Sequence, residues 1–365
     1  MRKKIYFIVN HLGIGGIEIC VVNTANALAK RGYHVVLLSV LNSNEIAERI
    51  LPDIEVVYLT SMHRGGKSLI YKFCRRINSY WSLWRKIKSL KNSVLVSTRL
   101  EYNIMLSKYA SDDNLRIAQM HHDYVGIKNF SKDIRKRYHH IDYFFLLTED
   151  VCKEVESMMK GYNRHTVCVT VPNLYPDADL PAFFSCNRKN IALAVGRLSP
   201  EKGFLRLLEV WHEIMSKGKS YMLYLVGEGE EREALKSRIS ELQLEQSVRL
   251  LGALPNQQVR KLMQEAKVYC MTSYTEGFSL VLLESMNNGL PQVAFDVRVG
   301  PRNLMANGLS GYLVKDGDIE AFSAKVLELF ENAERWKLMS VASKKQASRF
   351  SEKKVVDKWL KIINS

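Results

Sequence analysis

Ser273-Tyr-Thr-Glu-Gly-Phe-Ser-Leu-Val-Leu-Leu-Glu-Ser-Met-Asn-Asn-Gly-Leu-Pro-Gln-Val-Ala-Phe-Asp296 is the stretch on which the fold turns. The apolar run Val268 to Met271 just ahead of it predicts a short buried strand that stops at polar Thr272 and Ser273. Glu276-Gly277 makes a turn. Ser279 to Asn288 then reads as a helix, ended by Gly289 with Pro291 just beyond. A second apolar run, Gln292 to Phe295, returns to the sheet. The unit is strand–loop–helix–strand, and its loop falls at the carboxyl end of a parallel strand, where open α/β sheets bind ligands.

The residues in that loop offer specific chemistry. Backbone amides of Gly277, Phe278, Ser279 and Leu280 sit at a helix N-terminus, whose free N–H groups and partial positive charge suit a diphosphate. Glu276 precedes the helix and Glu284 lies within it, so two acceptors face one crevice and could hold the hydroxyls of a sugar and a ribose. The plainer account is that two surface glutamates happen to stand eight apart.

The ordered set Glu276-Gly-Phe-Ser-x4-Glu284, Gly289-x-Pro291, Asp296 and Gly300-Pro301 resembles the signature of the family-four retaining glycosyltransferases. That resemblance implies an α/β chain of the GT-B fold, two Rossmann-like parallel-sheet domains facing a central cleft. Asn303 departs from the pattern, since the family often has a carboxylate after Gly-Pro, which puts the contacts of that position in doubt.

At 365 residues the chain has room for two sizeable cores, and 47% hydrophobic with 25% charged residues is a globular composition. Its six cysteines show no paired metal-ligand spacing, which suits a reduced cytoplasmic setting. Met1-Arg-Lys-Lys4 is followed by only Ile5 to Val9 before Asn10, too short an apolar run for export, and no stretch reaches membrane-spanning length. The net charge of +15 is spread over both halves and calls for an acidic partner: nucleic acid, anionic lipid or a phosphorylated substrate.

In the first half, strands are predicted at Ile5 to Val9 and Val35 to Val40, with a helix to about Arg31 between them. This βαβ opening implies a parallel sheet. The intervening His11-Leu-Gly-Ile-Gly-Gly-Ile-Glu18 lacks the third glycine of a dinucleotide fingerprint, and no acidic residue ends the second strand. By resemblance, Gly15 and Gly16 let the backbone approach the donor phosphate; otherwise they form a tight turn. Between Glu55 and Glu101 there are ten Lys and Arg and no acid. There Ile70, Phe73, Cys74, Ile77, Trp81, Trp84 and Ile87 recur at helical spacing, with Arg75, Arg76, Arg85, Lys86 and Lys88 largely off the stripe. A basic amphipathic helix with tryptophans suits an anionic membrane surface, unless its stripe packs on the domain core and the cations are simply solvated. Further strands are Ser93 to Thr98, Arg116 to Met120 and, as the last of this half, Ile141 to Leu147. Arg116 to His121 resembles the family strand ending in a histidine beside the donor sugar. By resemblance His121 contacts the transferred sugar or stabilises developing charge, and Asp123 helps orient the acceptor; a loop-bonded imidazole is the alternative.

The second half restarts its sheet at Ile191 to Val195, followed by Gly196-Arg-Leu-Ser-Pro-Glu-Lys-Gly203. Arg197 and Lys202 flank a turn at a strand end, as diphosphate-binding cations or as members of a salt-bridged loop. The expected division is an acceptor-side domain over 1–172, a linker over 173–190, a nucleotide-sugar-binding domain over 191–345, and a final segment over 346–365 whose helix crosses back to the first domain.

The resemblance implies retaining transfer of a hexose or N-acetylhexosamine, and Arg197, Lys202 and the helix N-terminus at Ser279 could hold the charge of the leaving diphosphate without metal. The donor would be a nucleotide sugar, most often UDP-linked, and no cofactor is required. Glu276 would position the sugar and Glu284 the ribose. The implied acceptor is a lipid-linked or phosphorylated glycan of bacterial surface polysaccharide or lipopolysaccharide assembly, reached by an enzyme peripheral on the inner face of the cell membrane. Two rivals remain: a nucleic-acid-binding protein, against which stands the lack of a recognisable binding motif, and a nucleotide-sugar epimerase of the same architecture. Filter binding to DNA and RNA tests the first, and incubation with donor alone tests the second.

Overall fold

Short aliphatic runs make the strands, and burial on both sheet faces explains why they do not alternate with polar residues. Val35–Ser39, for example, is buried at all five positions. In the computed structural model, which describes residues 3–62, 68–176 and 188–365, the chain divides into two units: Met1–Pro176 with Phe350–Ser365, and Asp177–Arg349.

The first unit runs β1 (Lys4–Val9), α1 (Gly16–Lys30), β2 (Val35–Ser39), β3 (Glu55–Tyr58), α2 (Leu69–Ser89), β4 (Ser93–Ser97), α3 (Leu100–Tyr109), β5 (Leu115–Gln119), α4 (Phe130–Arg137), β6 (Tyr143–Leu146), α5 (Glu149–Met159) and β7 (Val167–Thr170). The second runs β8 (Ile191–Val195), α6 (Phe204–Ser216), β9 (Met222–Val226), α7 (Arg232–Glu241), β10 (Val248–Gly252), α8 (Asn256–Glu265), β11 (Val268–Met271), α9 (Leu280–Asn287), β12 (Gln292–Asp296), α10 (Pro301–Leu304), β13 (Gly311–Lys315), α11 (Ile319–Glu331) and α12 (Ala333–Ala347). A last helix, α13 (Glu352–Ile363), belongs to the first unit.

Both sheets are parallel. Their orders are β3-β2-β1-β4-β5-β6-β7 and β10-β9-β8-β11-β12-β13. Each order reverses direction once, between β1 and β4 and between β8 and β11. Outside the carboxyl ends of those pairs lies the crevice that a doubly wound sheet offers to ligands.

Two edge features differ from expectation. Ile141 to Leu147 is not the last strand of its half, because β7 pairs with β6 from Tyr143 opposite Val167 to Leu146 opposite Thr170. The expected linker is also shorter than 173–190. Leu174 and Tyr175 are buried, and the Tyr175 amide donates to the Phe350 carbonyl at 3.1 Å. Arg188 is buried and spans the C-terminal carbonyls of α8 and α9, donating to Met263, Ala266 and Asn288. Of the expected linker, residues 177–187, which hold Pro181 and Cys186, lie outside the described residues.

The return of α13 is fixed by an apolar stripe. Val355, Val356, Trp359 and Ile363 are buried, and the Trp359 ring lies 5.6 Å from Phe7 and 4.8 Å from Phe145. A buried tryptophan of this kind is worth about 3–5 kcal/mol over alanine. Helix α12 continues to Ala347, so the return begins at Phe350 rather than at 346.

Candidate active site

In the second unit, the loops after β8 and β11 stand side by side at the reversal of strand order. Gly203 lets them approach: its φ is +63°, and a Cβ there would come within 2.1 Å of the Thr272 carbonyl oxygen. The Thr272 hydroxyl donates back to the Gly203 carbonyl at 2.9 Å, and the Tyr274 amide donates to the Glu201 carbonyl at 2.8 Å.

This contact brings Lys202 to Glu276. The ammonium donates to Glu276 Oε1 at 2.7 Å, and the Ser273 hydroxyl donates to the same oxygen at 2.7 Å. The Glu276 side chain is 8% exposed and Lys202 29%, so the pair is largely out of water. Gly300 closes on it from the β12 loop, where a Cβ would meet the Glu276 Cβ at 2.8 Å and φ is +100°. Beneath lies Tyr269, whose hydroxyl donates to the Val195 carbonyl at 3.3 Å. Burial pushes the Tyr269 phenol up, and the charges of Glu276 and, to a lesser degree, Glu284 add to the shift.

Arg197 stands differently. Its guanidinium is 70% exposed and donates to Glu201 Oε1 at 2.6 Å, with Ser199 donating to the same carboxylate at 2.7 Å. Burial alone would raise the Glu201 carboxyl, but the hydrogen bonds from Arg197 and Ser199 outweigh it and hold it down at about 2. The loop is thus salt-bridged, and each expected phosphate ligand already carries a carboxylate partner.

Helix α9 opens at Ser279, whose φ of +62° is unusual for a residue with a side chain. Its hydroxyl accepts from the Leu282 amide at 3.4 Å, while Phe278 is buried beneath. The amides around Gly277 and Leu280 therefore remain at an α-helix N-terminus beside the Lys202–Glu276 pair. Glu284 follows on the same helix, half-buried.

Sequence reasoning missed Arg206. From the first turn of α6 it donates to the Thr272 and Ser273 carbonyls, both at 2.5 Å, and to Asp316 at 2.7 Å. It also lies 3.8 Å from the Tyr274 ring centre. The signal available was a lone arginine in the otherwise apolar run Phe204-Leu-Arg-Leu-Leu. Asn303 has a local role where a carboxylate is frequent, accepting from the Gly300 amide at 3.3 Å. Two Asp-x-Asp spacings occur. Asp177 and Asp179 lie outside the described residues; Asp316 pairs with Arg206, and Asp318 caps α11 by accepting from the Ala321 amide.

In the first unit a cavity of about 420 Å³ opens at the carboxyl ends of β1, β4 and β5. Its polar lining includes Asn10, His11, Thr98, Asn103, Gln119 and His121. Asn103 is held between Ser97, which donates to its carbonyl, and Tyr138, which accepts from its amide at 3.0 Å. The His11 Nδ1 accepts from the Gly13 amide at 3.0 Å, which leaves its proton on Nε2, 3.7 Å from Glu18. Glu18 arches over Gly15, where a Cβ would meet its Oε2 at 2.2 Å, whereas a Cβ on Gly16 would meet nothing within 4 Å.

His121 is buried on the wall of this cavity, and among the described residues neither ring nitrogen has a hydrogen-bond partner, nor does Gln119 Oε1. Burial, and then the nearby His122, press its pKa down to about 3 against a small opposing effect of the Asn173 side chain, which lies close without a full hydrogen bond. The ring is therefore neutral, so of the two expected roles it can fill only the one that uses a neutral N–H or lone pair. Asp123 is outside the cavity lining and accepts from the Val125 amide at 3.3 Å.

Helix α2 is largely in water over its first three turns. Ile70, Phe73, Ile77 and Trp81 of the expected stripe are exposed, while Leu83 and Ile87 are buried and Trp84 is half-buried against Tyr109. Packing of the whole stripe on the domain core is thereby overturned. Arg75 and Lys86 are half-buried, and Arg76 and Arg85 exposed. Among the described residues no helix is long and apolar enough to cross a membrane.

Comparison with known proteins gives the family of the chain. The profile described as Glycosyl transferases group 1 matches residues 181–346. Over 372 residues, the whole of both chains, the sequence is 28% identical to an uncharacterized glycosyltransferase of Haemophilus influenzae. Over 254 residues, 66% of this chain and 69% of the relative, it is 30% identical to the amylovoran biosynthesis glycosyltransferase AmsD of Erwinia amylovora. A crystal structure of S. aureus TarM in complex with Fondaparinux, alpha-GlcNAc-glycerol and UDP matches over the full length of both chains with a TM-score of 0.83 at 16% identity, which shows the GT-B fold that the resemblance implied. On profile and relatives together, the chain belongs to the group 1 glycosyltransferases.

Proposed function

We propose that the chain transfers a hexose or N-acetylhexosamine from a nucleotide sugar, UDP-linked, to a lipid-linked or phosphorylated glycan, with retention at the anomeric carbon and without metal. The observation that carries this reading is the Lys202–Glu276–Ser273 cluster at the N-terminus of α9, at the reversal point of a parallel sheet. An incoming diphosphate competes with Glu276 for Lys202 and accepts from the α9 amides around Gly277 to Leu280. Released from its cation, Glu276 turns to the sugar hydroxyls, and Glu284 to those of the ribose. Arg197 exchanges its exposed pairing with Glu201 for the phosphate.

Transfer then forms a bond from the acceptor oxygen to the anomeric carbon as the bond to the diphosphate breaks. The acceptor proton passes to a diphosphate oxygen, and Lys202, Arg197 and the helix amides hold the developing charge. The first-unit cavity sets the neutral polar groups of Asn10, Thr98, Asn103 and Gln119 beside the charged Glu18, Arg99 and Glu101 on a largely apolar wall, a lining that suits a polyhydroxylated ligand. There the neutral His121 would bond a hydroxyl, and Gly16 would leave room for the approaching substrate, as Gly15 would once Glu18 swings away from it. Asp123, beside that cavity, would orient the acceptor. The UDP in the TarM complex and the amylovoran biosynthesis named for AmsD support donor and setting.

The test is thermal shift against a panel of nucleotide sugars and free nucleotides, followed by anomeric analysis of the product. A ligand that binds only the folded chain at a hundred times its Kd stabilises it by about 2.7 kcal/mol. Stabilisation by UDP or a UDP-sugar, with a retained product, is the expected result. A panel with no stabilising member, an inverted product, or donor epimerised without transfer would each reject it.

A further inference from the structure

Helix α2 holds an apolar ridge in water. Leu69, Ile70, Phe73 and Ile77 are 52–82% exposed, and Trp81 is 55% exposed. Their three-and-four spacing puts them on one side of the helix. The helix is anchored elsewhere, by buried Leu83 and Ile87 and by the Tyr80 and Tyr109 hydroxyls at 2.8 Å.

The border of this ridge is cationic. Lys72 and Arg76 run along one edge, and at the C-terminal end Arg85 lies 5.4 Å over Trp81 and Lys88 4.9 Å over Trp84. The sequence from 56 to 100 contains no Asp or Glu. A second copy of the chain would set one such border against another, with like charges opposed across the interface. A nucleic acid would match the cations but leave the ridge unused. An anionic bilayer matches both: phosphate headgroups take the cations, and the headgroup–acyl boundary takes the ridge, with tryptophan at its preferred level.

We propose that α2 lies flat on an anionic membrane surface with Leu69, Ile70, Phe73, Ile77 and Trp81 inserted at the acyl boundary. This goes beyond the transfer reaction and stands whatever the acceptor proves to be.

The experiment uses the full chain with vesicles of phosphatidylcholine alone or mixed with phosphatidylglycerol. The parent should partition at least 10-fold more strongly onto the mixed vesicles, with Trp81 emission moving to shorter wavelength. The double variant Phe73→Glu/Ile77→Glu should lose at least 10-fold of that binding. Both side chains are in water, so its melting temperature should match the parent's. Lys72→Glu/Arg76→Glu should weaken binding in a salt-dependent way. The proposal is overturned if the parent ignores vesicles, if it binds neutral and anionic ones alike, or if the ridge variant binds as the parent does. It is also overturned if the ridge variant abolishes a concentration-dependent dimer of the parent, for the face then joins two copies.

Discussion

Lys202 and Glu276 stand 74 positions apart in the chain and meet at 2.7 Å, each the nearest charge with which the other is paired. The bond makes the ligand-free loop electrically neutral, although its parts suit an anion and a sugar. Removing either partner has a different effect. Lys202→Ala leaves a buried carboxylate held only by Ser273 and should destabilise the second unit by about 1–2 kcal/mol, discounted because the lysine is partly solvated. Glu276→Gln keeps the Ser273 bond but frees the lysine. Free UDP should then bind about as tightly as before or up to ~10-fold more tightly, since one freed cation is worth about 1 kcal/mol, while transfer falls at least ~100-fold. Calorimetric titration with UDP, beside the transfer assay, separates the two variants. Weaker UDP binding in Glu276→Gln would remove the competition from the account.

Arg206 should act on the donor through the loop that it holds. Its two bonds to the Thr272 and Ser273 carbonyls and its stack on Tyr274 fix the backbone just ahead of Glu276. Arg206→Ala should cost about 2–4 kcal/mol, from two charge-assisted hydrogen bonds and one cation–π contact. Arg206→Lys keeps the charge without the fork and should recover stability only in part. A purely structural role predicts unchanged kinetics in whatever fraction stays folded. A positioning role predicts a raised KM for the donor in both variants, measured well below their melting temperatures.

Most of the fold was legible because parallel strands buried on both faces leave continuous apolar runs, as at Val35–Ser39 and Val268–Met271. The strands that escaped notice, β3 and β7, lie at the sheet edges and have exposed or half-buried positions, so their pattern is weak. In α2 the periodicity identified the helix but could not say which turns pack, because spacing carries no information about what stands opposite. The loops of the second unit were legible as chemistry: Lys202 meets Glu276 across them, and Glu284 lies on the helix that follows. What the residues alone could not disclose was the pairing of each cation in the ligand-free chain, nor that His121 has no bonding partner among the described residues. Both depend on which side chains from distant segments arrive.

Gly16 offers a clean separation of folding from function. It begins α1, and a methyl group there would meet nothing within 4 Å among the described residues. Gly16→Ala should therefore stabilise the chain by about 0.4–1 kcal/mol through the lost freedom of the unfolded state. If substrate approaches this backbone, the same methyl occupies that space, and kcat/KM should fall at least ~10-fold, about 1.4 kcal/mol in transition-state terms. A stabilised variant with full activity would show that nothing comes close to Gly16 during turnover.

His121 should make stability depend on acid. Its folded pKa of about 3 lies below the ordinary histidine value of 6.5, because burial disfavours the charged ring. The unfolded chain takes up the proton first. The stabilising contribution is therefore complete above about pH 6.5 and is lost as pH falls toward 3, at up to about 1.4 kcal/mol per unit. His121→Leu removes both the titration and two buried ring nitrogens without partners. The variant should gain about 1 kcal/mol at neutral pH, show a shallower acid-unfolding curve between pH 6 and 4, and lose transfer activity. Parallel denaturant titrations of parent and variant across that range decide the point. Identical slopes would mean that the imidazole finds a partner or water in solution, and its assignment as the neutral hydroxyl-binding group of the cavity would fall with that result.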